Sequence, residues 1–227
     1  ITERKYMDES LQEAVQKLRL LSGLTRHDIL NQVSAVQLLQ EMALNTSIQK
    51  KVNEYISQAQ EATAQIEATI GFTREYENFG SVSSGWKQIY LIIEGAKTEI
   101  PLGHVTMENL VPEGLEVYAD PIIRKVFSTL MDNAVRHGGE ITRIRIFCHV
   151  TPHWLTIICD DDGMGIPTLE KERIFDHSYG KNTGLGLFLA REILSITGLS
   201  IHECGEPGKG ARFEILVPEG KFRQGEK

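Results

Sequence analysis

Apolar positions follow one rhythm up to about residue 80 and another beyond it. From about residue 3 to 44, Met7, Leu11, Val15, Leu18, Leu21 and Thr25 recur near the helix period, with charged and Gln residues on the other faces. This predicts one long helix, softened at Gly23 by about 1 kcal/mol relative to Ala. Asn45-Thr46-Ser47 is the natural break, since Asn45 can end one helix and Thr46 or Ser47 can cap the next. A second helix is expected from about 47 to 78. Its Val52, Ile56, Ala59, Thr63, Ile66, Ile70 and Thr73 alternate steps of four and three, the seam of a coiled coil rather than a broad globular face. Two such helices joined by a short turn form an antiparallel hairpin whose stripes a single copy cannot bury. A homodimeric four-helix bundle is therefore expected, with a monomeric hairpin packed on the following domain as the alternative.

Phe79 to Gly85 is rich in Gly and Ser and reads as a hinge, giving two domains, 1–80 and 81–227. Beyond it the pattern turns α/β. A short strand is expected at Trp86–Ile89, a helix at Tyr90–Lys97, and strands at Val105–Leu110 and Leu115–Ala119. Asp120-Pro121 should open a helix running to His137, with Pro at its first position. Paired strands follow at Ile141–Val150 and Trp154–Asp160, with a turn at Thr151-Pro152-His153. A helix at Phe188–Ile196 and a final strand, entered from the stretch Gly205 to Phe213 and running to Val217, close the domain.

Composition narrows the classes. Net charge −7 argues against a nucleic-acid partner, which would need a basic stripe. No apolar run approaches the ~18 residues of a membrane span, and no signal-peptide pattern is present. Cys148, Cys159 and Cys204 have neither metal spacing nor an even disulfide framework. Cys148 and Cys159 lie in apolar strand-like runs and read as buried reduced thiols, which points to the cytoplasm. The chain opens Ile-Thr-Glu-Arg without Met, so a longer protein is expected, with membrane association of the full-length protein left open.

Candidate chemistry sits in five segments. In the first helix, His27 and Asn31 share one face and Asp28 lies about 100° round from His27; alone, such a trio fits a solvated face as well as a reactive one. Asp160-Asp161-Asp162-Gly163-Met164-Gly165 follows a strand and can hold a metal or let backbone approach a flat ligand. Asn182-Thr183-Gly184-Leu185-Gly186-Leu187 leads into a helix whose free N–H groups suit phosphates. Gly205 to Phe213 is a third glycine-rich box. In Leu130 to His137, Asn133 can ligate Mg²⁺ through its amide oxygen and Arg136 can meet phosphate oxygens. None matches the P-loop or the dinucleotide fingerprint. The remaining histidines, His104, His149, His153, His177 and His202, lack metal-ligand spacing and are read as structural.

In order and spacing these boxes resemble the ATP-binding boxes of the GHKL superfamily, and with the hairpin in front the whole chain resembles the cytoplasmic core of a sensor histidine kinase. The resemblance rests on DxGxG at Asp161 to Gly165, LxNA around Met131 to Ala134 and GLGL at Gly184 to Leu187. It implies a dimeric helical bundle followed by a GHKL (Bergerat-type) α/β sandwich. It further implies that Asp161 accepts from the adenine amino group, with Gly163 and Gly165 beside it, and that Asn133 is the Mg²⁺ ligand. Arg136 and His137 would stand near the phosphates. Gly184, Leu185, Gly186 and Leu187 would line the triphosphate, assisted by Lys181 and Thr183, and Met164 and Leu185 would shape the adenine pocket. Arg173 to Asp176 resembles the family's F box. His27-Asp28-Ile29-Leu30-Asn31 resembles its H box. His27 would be the phosphoacceptor, Asp28 would hold a ring proton, and Asn31 would position the phosphoryl group or a water.

Two departures stand out: Thr129 where many members carry a first N-box Asn, and Gln32 where many carry Pro. The implied activity is MgATP-dependent autophosphorylation of His27 and transfer to an aspartate of a response-regulator receiver domain. The alternatives are a signalling scaffold acting mainly as a phosphatase of its partner, and a GHKL serine kinase.

Overall fold

The structure, a computed structural model, describes residues 11, 15, 29–79, 83–176, 179 and 185–225. Two compact units divide the chain: Ile1–Ser81 with Gly180–Leu185, and Val82–Tyr179 with Gly186–Lys227.

In the first unit, α1 is helical over 29–44 and α2 spans Gln49–Phe79. The turn between them uses the expected chemistry: the Asn45 N–H closes on the Glu41 carbonyl at 3.0 Å, and Thr46 Oγ1 accepts from the Ile48 N–H at 3.3 Å. Val36, Leu39 and Ala43 of α1 face Tyr55, Ala59 and Thr63 of α2 across a groove of about 580 Å³. The seam differs from the predicted one. Val52, Tyr55, Ala59, Ala62, Ile66, Thr69 and Thr73 are half-buried or buried, while Ile56, Thr63 and Ile70 are exposed. One row of the predicted stripe is thus covered, while the other stays exposed at heptad spacing, with Ile56 and Thr63 lining the open groove itself.

The second unit is α/β. Its elements are β1 (Gly85–Gln88), α3 (Ile89–Lys97), β2 (Thr106–Asn109), β3 (Leu115–Ala119), α4 (Ile123–His137), β4 (Arg143–Val150), β5 (Trp154–Asp161), a 3-10 turn at Arg173–Phe175, α5 (Gly186–Ile196), β6 (Ser200–Glu203), β7 (Arg212–Pro218) and β8 (Phe222–Gln224). Strands β2-β4-β5-β7-β6 form one sheet and β1-β3-β8 a smaller one. Only β2 and β4 pair in parallel within the larger sheet. Ile146 on β4, Cys159 on β5 and Phe213 on β7 are register partners and share the buried face. The apolar faces of α3, α4 and α5 complete that core through Ile93, Phe127, Leu130 and Ile193.

Several expectations shift. The α4 helix begins at Ile123, not at Pro121. Asp120 instead accepts the Ile122 N–H through Oδ1 at 3.0 Å and the Ile123 N–H through its carbonyl at 3.0 Å, so the chain makes a turn before the helix proper. The β4 strand starts at Arg143 because Thr142 and Arg143 direct their N–H groups to Asp162 Oδ1. Short strands β6 and β8 are additions. Cys148 is half-buried rather than buried, Cys159 is buried as expected, and Cys204 is exposed. Among the described residues no helix is long and apolar enough to cross a membrane.

Candidate functional site

The three consecutive aspartates are sorted by strand alternation. On β5, side chains alternate faces. Asp160 points to the open face, where Arg145 takes it with two bonds, Nε at 3.0 Å and Nη2 at 2.8 Å. Asp161, partnered with Ile144, points to the buried, helix-covered face. Its Oδ1 accepts the Gly163 N–H at 2.9 Å and the Ala211 N–H at 3.1 Å, while its own N–H donates to the Ala211 carbonyl at 3.1 Å. Burial holds the Asp161 carboxyl above the usual carboxylate range, against the opposing pull of the two N–H donors. Asp162 leaves the strand and serves the turn below. Its Oδ2 accepts the Thr142 hydroxyl at 2.5 Å, and this bond, followed by the Arg143 and Thr142 N–H groups, outweighs burial and lowers the carboxyl to about 2.

Glycine is required where three loops converge on Asp161. A side chain at Gly163 would meet the Gly138 carbonyl oxygen at 2.5 Å. That packing places the end of α4 against the loop after β5, and the Met164 N–H donates to the Gly138 carbonyl at 2.9 Å. Gly165 (φ 68°) lies between the carbonyl oxygens of Glu206 and Gly210, and Gly208 donates to the Met164 carbonyl at 2.7 Å. Gly210 (φ 110°) has no room for a Cβ beside the Asp161 carbonyl. The third glycine box is therefore bonded to the Asp161 loop along its length. Gly210 and Ala211 pack on and bond to Asp161, whereas the sequence singled them out only as part of the third glycine box. The glycine pattern was visible, but its pairing with a residue some 50 positions upstream was not.

The α4 helix presents the other half of the site. Asn133 is half-buried, and His137, its last residue, is exposed. Arg136 Nε meets Asp132 Oδ1 at 2.7 Å, an i,i+4 pair whose arginine side chain is 60% exposed and so available to exchange partners. Thr129 directs its methyl toward Gly186, where a Cβ would stand 3.0 Å away. This brings α4 against the start of α5. Leu185 is buried and Leu187 half-buried, while Met164 is 62% exposed and covers no core. The F-box resemblance has a physical counterpart. Phe175 is buried edge-on to Phe213, with centroids 6.2 Å apart, and Arg191 of α5 stacks over it and donates to its carbonyl at 2.8 Å.

Asn31 lies on α1 with an exposed side chain. His27, Asp28, Lys181, Thr183 and Gly184 lie outside the described residues. Two of the five remaining histidines take structural partners: His104 Nε2 lies 3.1 Å from the Ile141 carbonyl oxygen, and His153 pairs with Glu219 at 3.0 Å. Among the described residues no cluster of three or more His, Cys, Asp or Glu could cage a metal. Mg²⁺ suits the donors present in another way, since it usually takes one or two protein ligands and completes its shell with phosphate and water. The half-buried Asn133 amide fits that role.

Residues 119–221 match the family model described as histidine kinase-, DNA gyrase B-, and HSP90-like ATPase. The chain is similar to the alginate biosynthesis sensor protein KinB of Pseudomonas aeruginosa, 36% identical over 42% of this chain and 17% of that protein. It is similar over more of its length to the adaptive-response sensory kinase SasA of Prochlorococcus marinus, 26% identical over 93% of this chain and 60% of that one. The chain thus spans less than two thirds of these relatives. In structure, full-length ShkA in complex with AMPPNP aligns with a TM-score of 0.58 at 15% identity, covering 96% of this chain and 47% of that one, a likeness of fold.

Proposed function

We propose, from the match of residues 119–221 to the histidine kinase-, DNA gyrase B- and HSP90-like ATPase family model, that the chain is the autophosphorylating core of a two-component protein histidine kinase. The observation that carries the proposal is the Asp161 carboxylate, turned to the helix side of the sheet and oriented by the Ala211 and Gly163 N–H groups. With Oδ1 so engaged, Oδ2 is left to accept the exocyclic amine of adenine. A carboxylate there selects an amine over a carbonyl, and so adenine over guanine.

The triphosphate then extends toward α4 and the start of α5. Arg136, released from Asp132, meets phosphate oxygens, Asn133 supplies the protein ligand for Mg²⁺, and Lys181, Thr183 and the stretch Gly184–Leu187 surround the phosphates. When bound, the metal neutralises phosphate charge. Phosphoryl transfer needs little beyond such positioning and neutralisation. His27 attacks through one neutral ring nitrogen while Asp28 holds the proton on the other and stabilises the imidazolium that develops. The γ-phosphoryl group moves to His27, ADP leaves, and Asn31 positions the phosphoryl group for passage to an aspartate of a receiver domain.

The hairpin, residues 1–80, is proposed as the dimerisation and phosphotransfer domain, and 81–227 as the catalytic one. The exposure of Ile56, Thr63 and Ile70, the first two of which line the open groove between α1 and α2, supports a homodimer, because a second hairpin seated along that groove would cover them. A cytoplasmic position follows from the need for ATP and a receiver partner. An upstream sensory segment belongs to the same reading.

One specific feature favours a second reading, a scaffold acting mainly as its partner's phosphatase. Thr129 turns a methyl group, not an amide, to Gly186. Incubation with γ-labelled ATP and Mg²⁺ separates these readings. Label lost in acid and retained in alkali is expected. Acid-stable label would indicate a serine kinase, and no label with nucleotide still bound would favour the scaffold.

A further inference from the structure

Glu203 is a carboxylate with a fully buried side chain at the end of β6, outside the set of residues proposed to touch nucleotide or phosphate. Its Oε1 accepts the N–H groups of Gly205 at 2.9 Å and Arg212 at 3.2 Å, the two ends of the third glycine box. Its Oε2 meets Lys171 Nζ at 2.8 Å, and the same ammonium donates to the Gly205 carbonyl. The lysine side chain is 17% exposed. Lys171 stands in the segment after the Asp161 loop, just before the 3-10 turn that carries Phe175. A buried ion pair therefore joins this segment to the box whose Ala211 N–H orients Asp161.

We propose that Lys171 and Glu203 are positioning residues for adenine recognition: their ion pair fixes the Gly205–Arg212 loop, and that loop fixes the Asp161 carboxylate. The chemistry supports a demand for geometry rather than for bulk stability. An ion pair taken out of water gains little over a well-packed apolar pair, and it needs every remaining hydrogen-bonding site filled. Here the two main-chain N–H groups that bracket the loop fill Oε1, while Oε2 has the Lys171 charge at 2.8 Å but no well-angled hydrogen bond, so Lys171 is its sole compensation among the described residues. Without Lys171 the carboxylate loses its counter-charge and the Gly205 carbonyl loses a donor. The bracket relaxes, and Ala211 no longer holds Asp161 in place. The proposal rests on Asp161 reading the adenine amine and names the residues that make that reading selective.

Calorimetric titration of the full chain with ADP and with GDP tests it, using wild type, Lys171→Met, Lys171→Arg and Glu203→Gln. The preference ratio is unaffected by a fall in the folded fraction, so it separates positioning from simple destabilisation. Wild type should prefer ADP. Lys171→Met should bind ADP about tenfold more weakly, with the preference for ADP over GDP shrinking by a similar factor. Lys171→Arg should restore most of both. Glu203→Gln, whose amide oxygen still accepts the two N–H groups, should fall between. A Lys171→Met or Glu203→Gln protein with the wild-type preference intact would overturn the latch alone. Wild type that does not distinguish ADP from GDP would overturn the adenine reading and the latch with it. If Lys171→Met does not fold, Glu203→Gln and Lys171→Arg decide the matter.

Discussion

The two units bury their side chains very differently. In the described hairpin only Ala62 and Thr69 are buried, whereas every other buried apolar side chain except Leu185 belongs to the α/β unit. The contrast extends to glycine: all the positive-φ glycines among the described residues lie in the α/β unit, while Gly71 sits in α2 with nothing within 4 Å of an added Cβ. One unit is closely packed, and its loops around Asp161 leave no room for a Cβ at Gly163, Gly165 or Gly210. The other is a narrow pair of helices that leaves Ile56 and Ile70 in solvent. A nucleotide site needs the first kind of structure, because donors must be fixed before the ligand arrives. A surface that assembles with partners can be of the second kind.

The sharpest way to break this comparison is to make the same substitution in both units. Gly210→Ala puts a Cβ into the Asp161 carbonyl at φ 110° and should cost on the order of 3 kcal/mol and abolish ADP binding. Gly71→Ala should stabilise α2 by about 1 kcal/mol. Thermal melts with and without ADP check both. If the two changes had the same sign, the contrast would fail.

Next in size is assembly. Ile56→Gln with Ile70→Gln should shift the monomer–dimer midpoint at least about tenfold toward monomer in sedimentation equilibrium, while ADP affinity stays unchanged. Dimerisation insensitive to this pair would place the interface elsewhere.

A smaller effect lies in acid, where neighbouring aspartates act with opposite sign. Asp162 is lowered to about 2 from 3.8, so its stabilising contribution is full above 3.8 and is lost as the pH falls through about 2. Asp161 is raised, so its contribution favours the folded state at low pH and is lost as the pH rises through its folded value. Asp162→Asn should therefore flatten the fall in melting temperature over the window from 3.8 to about 2. The smallest effect is expected from Asp132→Asn, which breaks an exposed pair with Arg136 and should change stability by about 0.5 kcal/mol or less.

Most of the α/β order was legible because alternation and turn chemistry are local. The predicted turn at Thr151-Pro152-His153 is found between β4 and β5, with the Trp154 N–H on Thr151 Oγ1 at 3.0 Å. Strands β6 and β8 were not legible: they have four and three residues, too few for periodicity to register, and exist because β7 and β3 offer edges. The hairpin seam was half legible, since a four-three alternation does not say which row is covered within the hairpin and which stays exposed. Asp161 was singled out by its box. Its orientation by Ala211, and the ties of Lys171 to Glu203 and of Arg191 to Phe175, join residues far apart in sequence and became visible only in the fold.

In the proposed function one unit binds ATP through Asp161 and the other accepts its phosphate on His27. The most direct test measures two quantities, ADP binding and acid-labile label from γ-labelled ATP, in wild type, His27→Gln and Asp161→Asn. The account predicts that wild type does both, that His27→Gln binds nucleotide without label, and that Asp161→Asn loses both. Label persisting in His27→Gln, or full nucleotide affinity in Asp161→Asn, would contradict it.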